Sequence, residues 1–184
     1  VTWSALSNTI SVRHCDSGFI FDTKGQCLFT PDRRDLAFYS AFLNSKVASA
    51  FLEILTPTLD FNSGYLRRIP DCRPVAKKYE RVLKIEAECR LAAKEDWDDQ
   101  ETSWDFMCPP VLRHRSTNLS ESQEAADTAC LARCTRMREL EEENNRLFIE
   151  AFGLQDELSP EVPDDQLTLY RPDRQEDVKR LLSY

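Results

Sequence analysis

The sequence predicts an α+β fold, with a small mixed or β portion carrying one packed helix, followed by a mainly α-helical part built on long antiparallel helices. Three observations predict it. Residues 1–30 hold short β-prone runs punctuated by turn residues, an apolar stripe at helical spacing begins at Leu36, and two further stripes of that kind occupy residues 73–158. The expected division is 1–72, 73–158 and 159–184, the last an irregular linker with the start of a helix cut off by the end of the chain, as in a piece of a longer protein.

Ile10 to His14 alternates apolar and polar residues, and Phe19-Ile20-Phe21 and Cys27-Leu28-Phe29 flank the turn Asp22-Thr23-Lys24-Gly25, which predicts short strands. Thr30-Pro31-Asp32 starts a helix, since Thr30 or Asp32 can cap free amides and Pro31 suits a first turn. Leu36, Tyr39, Leu43, Val47, Ala50 and Ile54 form its inner stripe, widened by Phe42, Phe51 and Leu55, with Asn44, Ser45 and Glu53 off its centre. Thr56-Pro57 stops it, because proline disfavours helical geometry in the residue before it.

From Arg73, the residues Val75, Tyr79, Val82, Ile85, Cys89 and Ala92 make a second stripe, with Lys77, Lys78, Arg81 and Lys84 toward solvent. Pro109-Pro110 and the polar run to Asn118 make an exposed connection. A third helix starts near Ser120 or Ser122, turns Ala126, Cys130, Cys134, Met137, Leu140, Leu147 and Ala151 inward, sets Glu139 to Asn145 outward and stops at Gly153. After Pro160 and Pro163 the chain is irregular until a helix begins near Asp173 and carries Val178, Leu181 and Leu182.

The 184 residues are 41% hydrophobic and 30% charged, a globular rather than a disordered composition. Seven cysteines, an odd number without framework spacing, point to reduced thiols and a cytoplasmic setting, and no apolar run approaches the roughly 18 residues of a membrane span. The net charge of −8 is unevenly divided: residues 1–90 hold 13 Lys and Arg against 10 Asp and Glu, or +3, and residues 91–184 hold 11 against 22, or −11. A polyanion would meet the first half, and a basic protein surface the second.

Few residues offer chemistry of their own. Cys108, His114, Cys130 and Cys134 lack the paired spacing of a zinc knuckle, so no metal is expected, and neither histidine sits in a nucleophile motif. The acids Asp96, Asp98 and Asp99, and Glu141 to Glu143, are consecutive charges that suit solvated faces. Four glycines give no phosphate cradle. Pro172-Asp173 with Glu176 and Lys179 has the residue types of a nuclease metal site, but on one short helix rather than on neighbouring strands. What remains is a cationic series, Arg33, Arg34, Lys46, Arg67, Arg68, Arg73, Lys77, Lys78, Arg81 and Lys84, which is either ordinary surface charge or a phosphate-facing set.

Phe42-Leu43-Asn44-Ser45-Lys46-Val47, followed by Pro57 to Phe61 and the exit Leu66 to Pro70, resembles the target-recognition domains of adenine-specific DNA methyltransferases and type I specificity subunits. With FIFDTKG at 19–25, Asp96-Trp97, ETSWDF at 101–106 and NNRLFIEAFGLQDELSPEV at 144–162, the chain resembles the PglX family, the large adenine-specific methyltransferases of BREX phage-defence systems. That resemblance implies a target-recognition portion and helical spacer lying downstream of a catalytic domain. The upstream domain would carry the glycine motif and the Asn-Pro-Pro-Tyr/Phe motif, bind S-adenosylmethionine and methylate an adenine flipped from double-stranded DNA. The chain itself would hold no cofactor and no catalytic residue. Its partners would be duplex DNA, the upstream methyltransferase domain and other BREX proteins, with no membrane. Within this reading the candidate DNA-binding residues are Arg33, Arg34, Lys46, Asn62, Ser63, Tyr65, Arg67, Arg68, Lys77 and Lys78. The alternative is a docking module acting through the acidic helical half.

Overall fold

The computed structural model describes residues 1–15, 17–56, 60–71 and 76–184, apart from the side chains of Ala76 and Lys77. Pro57, Arg73 and Val75, and the Lys77 side chain, therefore lie outside the described residues. The elements are β1 (Thr2–Ser4), β2 (Val12–Arg13), β3 (Gly25–Cys27), α1 (Arg33–Leu43), α2 (Lys46–Leu55), α3 (Ser63–Leu66), α4 (Ala76–Asp98), α5 (Pro110–Arg113), α6 (Leu119–Phe152) and α7 (Arg174–Ser183). The fold is α+β and mainly helical. Its residues group into two units, Val1–Glu88 with Glu141–Glu161, and Cys89–Leu140 with Val162–Tyr184, so that α4 and α6 each contribute to both.

In the first unit an antiparallel sheet runs β2-β1-β3, with Trp3 opposite Val12 on one side and Gln26 on the other. The central strand β1 is absent from the sequence reading, because three residues are too short a run to mark a strand and owe their geometry to two distant partners. The expected strand at Phe19-Ile20-Phe21 is instead an exposed loop, with Ile20 98% accessible. The ladder with β1 centres the neighbouring strand, Gly25–Cys27, on Gln26 rather than on Leu28 of the expected Cys27-Leu28-Phe29 run.

The single helix expected from Asp32 to Leu55 is two helices. Asp32 does cap the first, accepting from the Arg34 amide at 2.8 Å. The break falls at Asn44 and Ser45. The Asn44 carboxamide accepts from the Val12 amide and donates to the Val12 carbonyl, both at 2.9 Å, so it pairs with β2 as a strand neighbour would. Ser45 is fully buried, donates to the Phe42 carbonyl at 2.7 Å and caps α2 through the Ala48 amide at 3.3 Å. The break resets the helical phase, which is why α2 buries Val47, Ala48 and Leu52 while Ile54, an expected core residue, is 79% exposed and Ala50 is only half-buried. Replacing Asn44 by Ala leaves the Val12 backbone groups without those partners, and the expected loss is about 1–3 kcal/mol, measured as the shift in urea midpoint.

The apolar interior of this unit is a ring cluster. Phe38 and Phe42 of α1 meet Phe148 of α6 at centroid distances of 5.8 and 5.1 Å, and Val47, Ala48, Val82 and Ile149 close around them. Within this unit α4 and α6 run antiparallel, because Lys78 pairs with Glu150 at 2.7 Å and Arg81 with Glu143 at 2.6 Å. Asn144 and Asn145 are buried, against the expectation that Glu139 to Asn145 faces outward. They continue the inner face beyond Leu140 and satisfy backbone groups: Asn144 donates to the Ala41 carbonyl at 2.9 Å, and Asn145 accepts from the Lys46 amide at 3.0 Å and donates to the Pro160 carbonyl at 3.1 Å. Gly153, with φ +69°, ends α6 as expected. The Gly153 and Leu154 amides bond back to the Glu150 and Ile149 carbonyls, a pairing that requires the left-handed backbone glycine adopts at little cost.

The second unit has a smaller core of Cys134, Met137, Val162, Leu167 and Leu169, flanked by Cys89, Ala92 and Ala93. Asn118 rather than Ser120 or Ser122 starts α6, accepting from the Glu121 amide at 3.0 Å. Asp173 caps α7 through the Gln175 and Glu176 amides, as expected. That helix buries none of its residues, so Val178 and Leu182 are exposed rather than core. Asp96 and Asp99 are likewise not on a solvated face. Arg133 reaches them at 3.4 and 2.9 Å, and the Asp99 side chain is 9% exposed.

Candidate nucleic-acid interface

The segment that follows α2 is fixed to the sheet by backbone and side-chain bonds. The Phe61 amide donates to the Ala5 carbonyl at 2.7 Å, the buried Trp3 indole donates to the Phe61 carbonyl at 2.7 Å, and the Gln26 side chain accepts from the Ser63 amide at 2.6 Å. Tyr65, Leu66 and Ile69 then pack against the cluster of Trp3, Val12, Leu43, Leu52 and Phe61. Apolar residues at 65, 66 and 69 thus leave Arg67 and Arg68 outside, and both are exposed.

The ten candidate residues separate by what they already hold. Arg33, Arg67 and Arg68 are exposed and make no side-chain ion pair with a described residue. Arg34 pairs with Glu80 and lies over the Tyr79 ring, 5.7 Å from its centroid. Lys46 donates its ammonium to the Glu161 carbonyl, and Lys78 pairs with Glu150 at 2.7 Å. Asn62 caps α3, accepting from the Gly64 amide at 3.0 Å, while Ser63 is exposed and Tyr65 half-buried. The set is therefore three open cations on one unit, and a larger number of residues that are already engaged or carry no charge.

Sequence reasoning took the loop of Phe19, Ile20 and Phe21 for a strand and missed its exposure. Phe21 packs at a tilt on Phe29, itself exposed, at 5.3 Å. The available signal was three consecutive apolar residues bracketed by Gly18 and Gly25, which is unlike the alternation of a half-buried strand.

One carboxyl near this sheet is out of balance. Burial pushes Glu141 up to about 6, and the Arg13 guanidinium on β2 opposes that shift only in part. A carboxyl raised in the fold favours folding while protonated, so its contribution is complete below the ordinary carboxylate value of 4.5 and is lost as pH rises through about 6. Glu141→Gln is expected to raise stability at pH 7.5 by about 1–2 kcal/mol and to change it little below pH 4.5, read as thermal midpoints across that range. An unchanged difference between the two pH values would contradict the burial of this carboxyl.

No protein-family model matches the chain. Proteins named adenine-specific methyltransferases in two bacteria align with it. Adenine-specific methyltransferase PglX of Lacticaseibacillus casei (strain Zhang) is 36% identical over 191 aligned residues, covering 100% of this chain and 16% of that protein. Adenine-specific methyltransferase BrxX of Escherichia coli O9:H4 (strain HS) is 30% identical over 117 residues, covering 62% of this chain and 9% of that protein. Along its whole length the chain is PglX-like, and it spans a small fraction of the curated relatives it matches.

Proposed function

We propose that the chain is a DNA-recognition portion of a BREX-type adenine-specific DNA methyltransferase used in phage defence. It positions duplex DNA for an S-adenosylmethionine-dependent catalytic domain elsewhere in the enzyme. The observation that carries this reading is the presentation of Arg67 and Arg68, two open cations on a segment bonded to the sheet at Phe61 and Ser63. A rigid mount matters because contacts to phosphates and base edges set register only if their own positions are fixed. The resemblance of residues 42–70 to target-recognition domains and the whole-chain similarity to PglX support the same reading. Reversing both arginines to Glu in the full-length enzyme tests it, with methylation expected to fall and S-adenosylmethionine binding to persist.

A second reading has its own observation. Residues 91–184 carry −11, and Lys78, Arg81 and Arg34 of the first half are paired internally, which suits the helical part to a basic protein surface of a defence complex. Both roles can belong to one chain, and the arginine reversal separates them, since docking through the acidic part does not use Arg67 and Arg68 and leaves methylation of naked DNA unaltered when they are reversed.

A further inference from the structure

The second unit contains a cavity of about 240 Å³ between the end of α4, the loop before α5, the first half of α6 and the start of α7. Its wall is largely apolar, with Phe106, Pro109, Val111, Ala126 and Pro172 among its residues. Set into that wall are Asp127 and Asp177, and the Gln123 amide group donates to both, at 2.8 and 3.3 Å. The Tyr170 hydroxyl donates to Asp177 at 2.8 Å. Among the described residues these two carboxylates meet neutral donors only, with no Lys or Arg in ion-pair range.

The cations nearby are engaged elsewhere. Arg133 is held by Asp96 and Asp99, and Arg180 lies over the Tyr170 ring, 4.5 Å from its centroid, while bonding Gln100 at 2.7 Å. Asp99 also lines the cavity. Its side chain is more than nine-tenths buried and is ion-paired through both oxygens, to Arg113 at 2.7 Å and to Arg133 at 2.9 Å. Two carboxylates sharing one amide donor repel each other, and a cation beside them removes that repulsion. Arg180 shows what the wall accepts: a guanidinium over an aromatic face with an amide oxygen as its acceptor.

We propose that this cavity is a binding site for an organic cation, a guanidinium or alkylammonium group carried on a short apolar stem. The stem lies along the Phe106, Pro109 and Val111 wall and the charged head faces Asp127 and Asp177. The head belongs either to a free amine or to an Arg or Lys side chain of a protein, and both present the same chemistry.

The test is thermal-shift and calorimetric titration of the whole 184-residue chain at fixed ionic strength with agmatine, with neutral butylurea, with Mg²⁺ and with a capped Gly-Arg-Gly peptide. A saturable rise of several degrees with agmatine or the peptide, absent with butylurea, is expected. Asp127→Asn is expected to weaken that binding at least about tenfold, because the head then meets a neutral amide where a carboxylate stood, with Glu124→Gln on the same helix leaving it unchanged. Asp177→Asn provides the second reading, in case Asp127→Asn perturbs α6. Tighter binding of the peptide assigns the head to a protein side chain, and tighter binding of agmatine to a free amine. No saturable shift, an equal shift with Mg²⁺, or binding unaltered in both Asp variants overturns the proposal.

Discussion

Reversing Arg67 and Arg68 to Glu in the full-length enzyme is expected to reduce methylation at sub-saturating duplex on the order of a hundredfold, because each arginine bound to DNA is worth roughly 1–3 kcal/mol and a reversed charge adds repulsion. Both side chains are exposed and outside any described ion pair, so the fold should change by no more than about 0.5 kcal/mol. Binding of S-adenosylmethionine, measured by calorimetry, should match the unaltered enzyme. The dependence of duplex affinity on salt should also become shallower, by about one unit of slope for each phosphate no longer neutralised. Methylation at the unaltered rate would remove these arginines from the DNA surface and leave the docking reading in possession of the field.

Phe148→Ala is the substitution expected to damage the fold most. Phe148 is fully buried and touches both Phe38 and Phe42, so its removal leaves a cavity among rings that helices on either side hold in place. The expected loss is about 3–5 kcal/mol, a large part of the stability of an ordinary domain. Urea denaturation followed by the fluorescence of buried Trp3 reads it in the same unit. Phe148→Leu keeps most of the volume and should cost under about 1.5 kcal/mol. A loss below about 1 kcal/mol for the Ala variant would mean that the ring cluster does not hold the unit together.

What the sequence made legible follows from range. The starts of α1 and α7 at Asp32 and Asp173, and the stop of α6 at Gly153, rest on bonds made within a few residues, and all three were readable. Strand β1 depends on pairing with Val12–Arg13 and with Gly25–Cys27, both distant in the chain, and was not. The break at Asn44 and Ser45 is partly local, in the Ser45 cap, but its cause is the Val12 backbone, 32 residues earlier. Asn144 and Asn145 read as surface because polar residues usually are, whereas here they answer backbone groups of helices about a hundred residues away. The candidate interface shows the same limit. Composition identified the cations, but Arg34, Lys46 and Lys78 find partners 46, 115 and 72 residues away, and no local pattern announces which charges are already spoken for.

The first unit is assembled from two stretches separated by 52 intervening residues, Cys89 to Leu140, and its ring cluster needs Phe148 and Ile149 from the later stretch. During synthesis the sheet, α1 and α2 therefore leave the ribosome well before the residues that complete their interior. Throughout that interval the side of Phe38 and Phe42 that Phe148 later covers stays open, along with the backbone groups that Asn144 and Asn145 later engage. The amide of Lys46 and the carbonyl of Ala41 wait on two asparagines that have not yet been translated. The segment at Arg67 and Arg68, proposed to face DNA, is thus made early and set firm late, which ties its birth to completion of the helix that closes behind it.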